Sequence, residues 1–398
     1  MNRGNIQIKN PERFKGNYDI SCEKLDSAID RACNKLLSNL DTYKKGFPKN
    51  IVYGNGFKYD FGENKNWECG LYTGTFLLAY ELSGNEEFLN VVKEHIPTYV
   101  ERFDKKIGFS DHDYGFAFSP SVIAYYKLTG DKTSKDLALK AAEYFYEVGY
   151  SKKGGFIPRL LFCNDEFGCR TMMDTLFNIP FYFWAWEETG NKDYFNAGHS
   201  QAKITRDYLI RDDGSSYHHY RFDPQTHKPV CGLTFQGNRD ESTWTRGHAW
   251  GVYGFPIAYD YTKDESLMAV HSDVVAFMLN NLPKDNVLYW DYDFTDGSRE
   301  PRDTSANIIS ACGLLEAIKF LPETDPKREI YKNAAMIMIE AVIDGYSGEM
   351  NEDYDGLIWG ATGARKFDIG IDGCAPYADY FYLEALLRLK KPDWKRYW

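Results

Sequence analysis

Two aspartates occupy places where a carboxylate needs a reason. Asp174 interrupts the apolar run Met172-Met-Asp-Thr-Leu-Phe177, and a carboxylate in such surroundings is costly unless it is paired, hydrogen-bonded or protonated. Burial raises a carboxyl pKa and a second carboxylate nearby raises it further. Those conditions produce a general acid near neutral pH. The same placement also suits an aspartate at a helix start that accepts from backbone N–H groups. Asp113, in Asp111-His-Asp-Tyr-Gly115, reads as a partner that orients a substrate or tunes Asp174. It reads equally as a cap, and spacing does not choose between Asp111 and Asp113. Asp303, in Pro301-Arg-Asp-Thr-Ser305, reads chiefly as an N-cap.

Histidines 112, 218, 219 and 248 raise the question of a metal, but no HExxH or comparable acid/His cluster occurs. Polar contacts to a substrate are the expectation, with no metal. Asp293, Asp296 and Gly297 lack the spacing and the closing Glu of a calcium loop. Aromatic residues make up 16% of the chain, enough both to fill a thick helical core and to stack on the apolar faces of sugars. Trp67, Trp244 and Trp250 are the stacking candidates, and Trp184 and Trp186 read as core.

The formal net charge of −11 and the absence of a Lys/Arg stripe argue against nucleic acid. A local field can still hold an anionic small molecule against that total. The eight cysteines are scattered with no CxxC pair, so free thiols in a reducing cytoplasm are expected. The polar opening, Met1 to Phe14, has no apolar core of a signal peptide. No stretch is long enough to span a bilayer.

The elements that must position these residues are helices. The same join recurs along the chain: an apolar helix closes on a short polar or Gly turn, and an amphipathic helix follows at once. The joins are Glu81-Leu-Ser-Gly-Asn85, Lys127-Leu-Thr-Gly-Asp131, Glu188-Thr-Gly-Asn191, Tyr261-Thr-Lys-Asp264 and Pro322-Glu-Thr-Asp325. Gly fits the left-handed position that ends a helix, and Asn or Asp then caps the next. Joins fall about 45 to 75 residues apart, room for a helical hairpin and a variable loop. Helices before each join (70–80, 116–126, 175–186, 249–259, 305–317) are apolar, while those after it (such as 87–103 and 327–343) are amphipathic. That alternation suits an inner ring wrapped by an outer one. With an opening helix near 21–44 and a closing one near 375–389, the expectation is an all-α (α/α)6 toroid of six hairpins. It forms a single domain over residues 1–398, with an N-terminal extension of about 20 residues. The alternative is an open helical solenoid. No convincing alternating strand pattern is present. Loops that enter inner helices gather at one end of a toroid, and here they are rich in Trp, His, Asp and Arg. Helix N-termini aimed into one cavity favour an anion there.

At these residues the sequence resembles the unsaturated glucuronyl hydrolases of glycoside hydrolase family 88. The motifs are Asp111-His-Asp-Tyr-Gly-Phe116, Met173-Asp-Thr-Leu-Phe-Asn-Ile-Pro180, Asp212-Asp-Gly-Ser-Ser-Tyr-His218 and Pro301-Arg-Asp-Thr-Ser-Ala306. The longest runs from Gln236 through Glu241-Ser-Thr-Trp-Thr-Arg-Gly-His-Ala-Trp-Gly251, and Asp379-Tyr-Phe-Tyr-Leu-Glu-Ala-Leu386 closes the set. The resemblance implies an (α/α)6 barrel without cofactor, a cytoplasmic monomer or weak homodimer, and no membrane or nucleic-acid partner. It implies that Asp174 is the acid/base and Asp113 the second essential aspartate. Trp67, His112, His218, Gln236, Trp244, Arg246 and Trp250 then line the substrate pocket.

The implied substrate is a short oligosaccharide left by a glycosaminoglycan lyase (chondroitin, hyaluronan or heparin type), ending in a 4,5-unsaturated uronic acid. Its C4=C5 bond and ring oxygen form a vinyl ether, so cleavage proceeds by hydration, and the usual carboxylate-spacing rule for glycosidases does not apply. Rival readings are an unsaturated rhamnogalacturonyl hydrolase acting on pectin fragments and a non-catalytic sugar-binding toroid. Departures from the family pattern concentrate away from the aspartates. Phe235 stands where members that accept sulfated substrates tend to carry Arg, and Gly363-Ala-Arg-Lys-Phe-Asp368 replaces their Ser-x-x-Ser-x-Lys element. His248 replaces a frequent Gln, and Pro158-Arg159-Leu160 replaces a segment often ending in Trp.

Overall fold

The computed structural model describes residues 3–44, 46–49, 56–161 and 163–398. Six inner helical segments run in order: Glu68–Ser83, residues 114–129, residues 173–189, Thr245–Thr262, Thr304–Ala317 and Pro376–Lys390. Each is preceded or followed by an outer helix: Cys22–Ser38, Glu86–Asp104, Lys132–Gly149, residues 192–209, Glu265–Asn280 and Lys327–Gly345. The last inner helix packs against the first, which closes the ring into the expected (α/α)6 toroid. One hydrophobic cluster runs through it from Phe14 to Trp398.

The joins behave as their residues require. Gly84, Gly130 and Gly190 end inner helices at φ of 70°, 74° and 73°, and Lys263 does the same at 53°. The side chains of Asn85, Asp131, Asn191 and Asp264 then accept from backbone N–H groups of the helices that follow. At the fifth join Pro326 holds the cap position, and Asp325 before it accepts from the Lys327 N–H at 2.8 Å.

Three features differ from the sequence expectation. The inner segment at 114–129 is not one regular helix, because a π-turn at Ser119–Ile123 containing Pro120 interrupts it. The segment expected from 175 opens as a 3-10 turn, Met173–Phe177, and becomes α-helical only at Ile179–Thr189. Short strands are also present. β1 (Phe47–Pro48) pairs with β2 (Phe61–Gly62), and β3 (Arg170–Met172), β4 (His219–Phe222) and β5 (Pro229–Leu233) form an antiparallel sheet in that order. At two to five residues each, these strands are too short for alternation to be visible in sequence.

The cysteines are not all free thiols. Cys163 and Cys169 form a disulfide, while the other six remain reduced. A turn at Asp165 brings the pair together, with its carbonyl accepting from the Cys169 N–H and its side chain from the Gly168 N–H. The N-terminal extension lies along the outer helix Glu265–Asn280, where the Asp273 carboxylate takes the N–H groups of Gly4 and Ile6. No helix among the described residues is long and apolar enough to cross a membrane.

Candidate active site

The two aspartates arrive on neighbouring inner segments. Asp113 precedes the helical turn that starts at Tyr114, and Asp174 lies in the 3-10 turn that follows β3. Gly115 sets how closely these segments approach, since a Cβ there would lie 2.4 Å from the Asn178 Cα. The Asn178 side chain fastens the contact by accepting the Gly115 N–H at 2.7 Å. The small sheet adds a third component. Met172 pairs with His219, and the Met173 N–H donates to the His218 carbonyl at 3.0 Å, so His218 stands beside the Asp174 turn.

His112 is the hub. Its Nε2 meets the Asp174 carboxylate at 2.9 Å and the Asp113 carboxylate at 3.5 Å, and its Nδ1 bonds the Asp111 carboxylate. Burial opposes a charged imidazole, but Asp113, Asp111 and Asp174 outweigh it and hold His112 well above its ordinary pKa. Burial pushes the Asp113 carboxyl up to about 7; His112 pulls it down, and the negative charges of Asp111 and Asp174 add to the rise. Asp111 is held below the usual carboxylate range, its burial offset by His112 and Arg159. Three carboxylates around one imidazole make a site that stores a proton near neutral pH.

Side-chain exposure is 23% at Asp113 and 16% at Asp174 against 4% at His112, so the two acids face open space and the imidazole supports them from behind. A cavity of about 270 Å³ reaches Asp111 and Asp113 and is also lined by Trp67, Asn66 and Arg102. Trp67 stacks on Tyr377 with ring centroids 5.2 Å apart.

His218 is buried and neutral, because burial and the nearby positive groups push its pKa well down. Its Nδ1 accepts from the Phe235 and Gln236 N–H groups, both at 3.2 Å, which assigns the proton to Nε2. That N–H meets no hydrogen-bond partner among the described residues. A buried unsatisfied donor is expensive in a folded protein. The Trp244 ring lies 4.5 Å from the His218 ring.

Arg246 is held rather than open. It donates to the Asp303 carboxylate at 2.7 Å and to the Thr362 and Gly363 carbonyls at 2.6 and 2.7 Å, with its guanidinium over Trp244 and Tyr377. Asp303 therefore does more than stand at a helix start: it pairs with Arg246 and takes the Ser305 hydroxyl. Gln236 also donates to the Gly363 carbonyl, at 2.9 Å. Both residues tether the loop that carries Arg365 and Phe367. Trp250 departs from its expected stacking role. Its ring is buried against Phe116, Phe177 and Phe381, beneath the site.

Arg159, noted in sequence only as part of a departing segment, reaches the aspartate cluster. Its carbonyl accepts the His112 N–H at 3.1 Å and its guanidinium lies 3.6 Å from Asp111, contacts made across 47 residues by a loop with no helical periodicity. Spacing does not choose between Asp111 and Asp113, and the structure gives Asp111 the part of orienting His112. The Asp-His-Asp spacing was the available signal.

An inner and an outer ring of helices, with paired acids where the loops gather, define an α/α-toroid glycoside hydrolase. The sequence profile of Glycosyl Hydrolase Family 88 matches residues 29–306, and the chain belongs to that family. It is 38% identical to an unsaturated chondroitin disaccharide hydrolase of Streptococcus pneumoniae, over 98% of each chain. An unsaturated glucuronyl hydrolase from Streptococcus agalactiae superposes with a TM-score of 0.93 at 36% identity, covering 98% of each chain. An Asp-to-Asn variant of that enzyme, complexed with dGlcA-GalNAc6S, matches with a TM-score of 0.87 at 33% identity over 100% of this chain and 99% of its own.

Proposed function

We propose that this chain releases the 4,5-unsaturated uronic acid from the non-reducing end of glycosaminoglycan oligosaccharides produced by lyases. The observation that carries the reading is the Asp113–His112–Asp174 cluster, a proton store on partly open carboxyls. Simple binding of a sugar does not call for such a store. The relatives that act on unsaturated chondroitin disaccharides, and the neighbour complexed with dGlcA-GalNAc6S, support the substrate class.

In the proposed reaction Asp174 gives a proton to C4 of the vinyl ether, and the imidazolium bonded to it at 2.9 Å supplies that proton. The cation left at C5 is stabilised by the ring oxygen and by the negative carboxylates nearby. Water adds at C5 and loses its proton to Asp174. The hemiketal then opens to a ketone at C5, and the hemiacetal this leaves at C1 collapses to an aldehyde and expels the rest of the sugar as an alcohol. Asp113, mostly protonated below about pH 7, donates a hydrogen bond to a sugar hydroxyl, and the His218 Nε2–H provides a second. Trp67 offers the ring on which the sugar face rests.

The test is incubation with unsaturated disaccharides from chondroitin, hyaluronan, heparin and pectin, following the ultraviolet absorbance of the C4=C5 bond. Loss of absorbance with the glycosaminoglycan disaccharides is expected. Loss confined to the pectin fragment would move the enzyme to rhamnogalacturonyl chemistry, and no loss with any would remove the hydrolase reading.

A further inference from the structure

The disulfide pair has a neighbour that the hydrolase chemistry does not use. One ligand-capable atom each of Cys163, Cys169 and His227 lie within 4.8 Å of one another, apart from the aspartate cluster. We propose that, once the disulfide is reduced, these three residues bind a thiophilic divalent cation of the Zn²⁺ type, with water in the fourth position.

The donor set is right for such an ion. Two thiolates and an imidazole form a tetrahedral site with one open position, at about 2.3 Å for each Zn–S bond and about 2.0 Å for Zn–N. Tetrahedral donors then stand roughly 3.5 to 3.8 Å apart, within the spread already present once the sulfurs separate. The Asp165 turn holds the two cysteines with Cα atoms 4.4 Å apart across a sequence separation of six.

His227 is placed with care. Its backbone is left-handed, φ 56°, in a turn built on Asp223, whose carboxylate accepts from the N–H groups of Gln225 and Thr226 and whose carbonyl accepts from His227 itself. Few residues other than Gly hold that conformation, and it persists where the surroundings enforce it. Nδ1 bonds the Ser151 hydroxyl at 2.7 Å. An outer hydrogen bond of this kind orients a metal-binding imidazole and leaves its other nitrogen for the ion. Phe156 and Phe222 pack on Cys169 and keep one side of the site apolar.

A recess of about 340 Å³ lined by Cys163, His227, Ser151 and Tyr150 provides entry. Two lysines border it, but both heads are engaged elsewhere, Lys152 with Glu147 and Lys153 with the Gln225 carbonyl. The spacing explains why no metal motif is visible in sequence: five residues separate the cysteines, and the histidine comes 58 residues after the second of them. The site would tie the 159–170 loop to the Asp223–Lys228 turn, and that loop carries Arg159 to Asp111 and His112.

Reduction by a phosphine balances as disulfide plus phosphine plus water to two thiols plus phosphine oxide. Metal binding then releases two protons from the thiols. The test is titration of the phosphine-reduced, full-length chain with Co²⁺ under anaerobic conditions. Thiolate-to-cobalt absorption in the near ultraviolet and tetrahedral bands in the visible should saturate near one equivalent, and Zn²⁺ should abolish both. Cys163→Ser should remove most of the charge-transfer intensity, His227→Ala should weaken cobalt binding about tenfold or more, and Cys22→Ser should change nothing. Unreduced wild-type protein should give no such bands, a control that depends on no variant folding. Bands that never appear on reduction, or that survive in Cys163→Ser or in the oxidised chain, would overturn the site.

Discussion

The two ends of the toroid handle buried charge in opposite ways. At the loop end, Asp111, Asp113 and Asp174 crowd one imidazole, with a single arginine beside Asp111. At the other end three cations meet three acids: Arg388 donates to Glu316 at 2.7 Å and to Glu384 at 2.9 Å, Arg396 pairs with Glu316 and Asp260, and Lys319 pairs with Glu316 at 3.0 Å. The physical result is opposite as well. Burial would raise Glu316, but Arg396 and Arg388 outweigh it and hold the carboxyl far below its usual range. With no such match, Asp113 rises to about 7. Matched charge fixes ionisation and serves structure, while surplus negative charge leaves a proton to be moved. Cavity size points the wrong way: the recess of about 940 Å³ is at the matched end, between the helix ends and the 392–398 segment.

The comparison is broken most sharply by removing the acid at the loop end. Asp174→Asn should lower kcat about 10³-fold while substrate affinity and melting temperature stay near wild type; steady-state rates and calorimetry check it. Gly115→Ala should come next. The added methyl pushes the Asp113 and Asp174 segments apart, costing about 1–3 kcal/mol of stability and roughly 10²-fold in kcat/KM from misplacement, read by denaturant titration and kinetics.

At the matched end, Arg388→Met should destabilise by roughly 3–5 kcal/mol because it takes the arginine from buried Glu384 and one of the cations from buried Glu316. The kcat of the folded fraction should not change. A large kcat effect there would erase the distinction between the ends.

pH sharpens the contrast further. Asp113 is the neutral donor below its raised pKa, so kcat/KM should fall as pH rises through about 7, in a pH–rate profile. Stability carries the same sign. Between the ordinary aspartate value of about 4 and about 7, the folded chain holds protons on Asp113 and on buried Asp379, also raised to about 7, that the unfolded chain has lost. Unfolding free energy should therefore decline across that window as pH rises, and Asp379→Asn should flatten the decline. The smallest effect concerns the rim. Phe235 and Phe367, both exposed, pack with ring centroids 4.9 Å apart. Phe235→Ala should raise KM for unsulfated disaccharide about 3- to 10-fold with little change in kcat.

Much of the toroid could be read from the chain because helix ends are local chemistry. A Gly or Lys in left-handed backbone followed by Asn or Asp is a signal spanning five residues, and it repeats. The closing disulfide, the three-stranded sheet and the Arg159 contact depend on loops meeting across dozens of residues, where no period helps. At the site, the residue types were legible and their surroundings were not. Apolar neighbours in sequence singled out Asp174, whereas three-dimensional crowding by Asp111, Asp174 and burial acts on Asp113. Trp250 shows the same limit, since a tryptophan at a loop-to-helix junction reads alike whether its ring faces sugar or Phe177.

The central claim is that the surplus acids hydrate a double bond rather than displace a glycosidic oxygen. The direct measurement compares an unsaturated chondroitin disaccharide with its saturated glucuronyl counterpart of identical linkage, following release of the amino sugar by chromatography. Hydration predicts release from the unsaturated compound alone, because the saturated ring offers no vinyl ether to protonate. Release of the amino sugar from both at similar rates would contradict it.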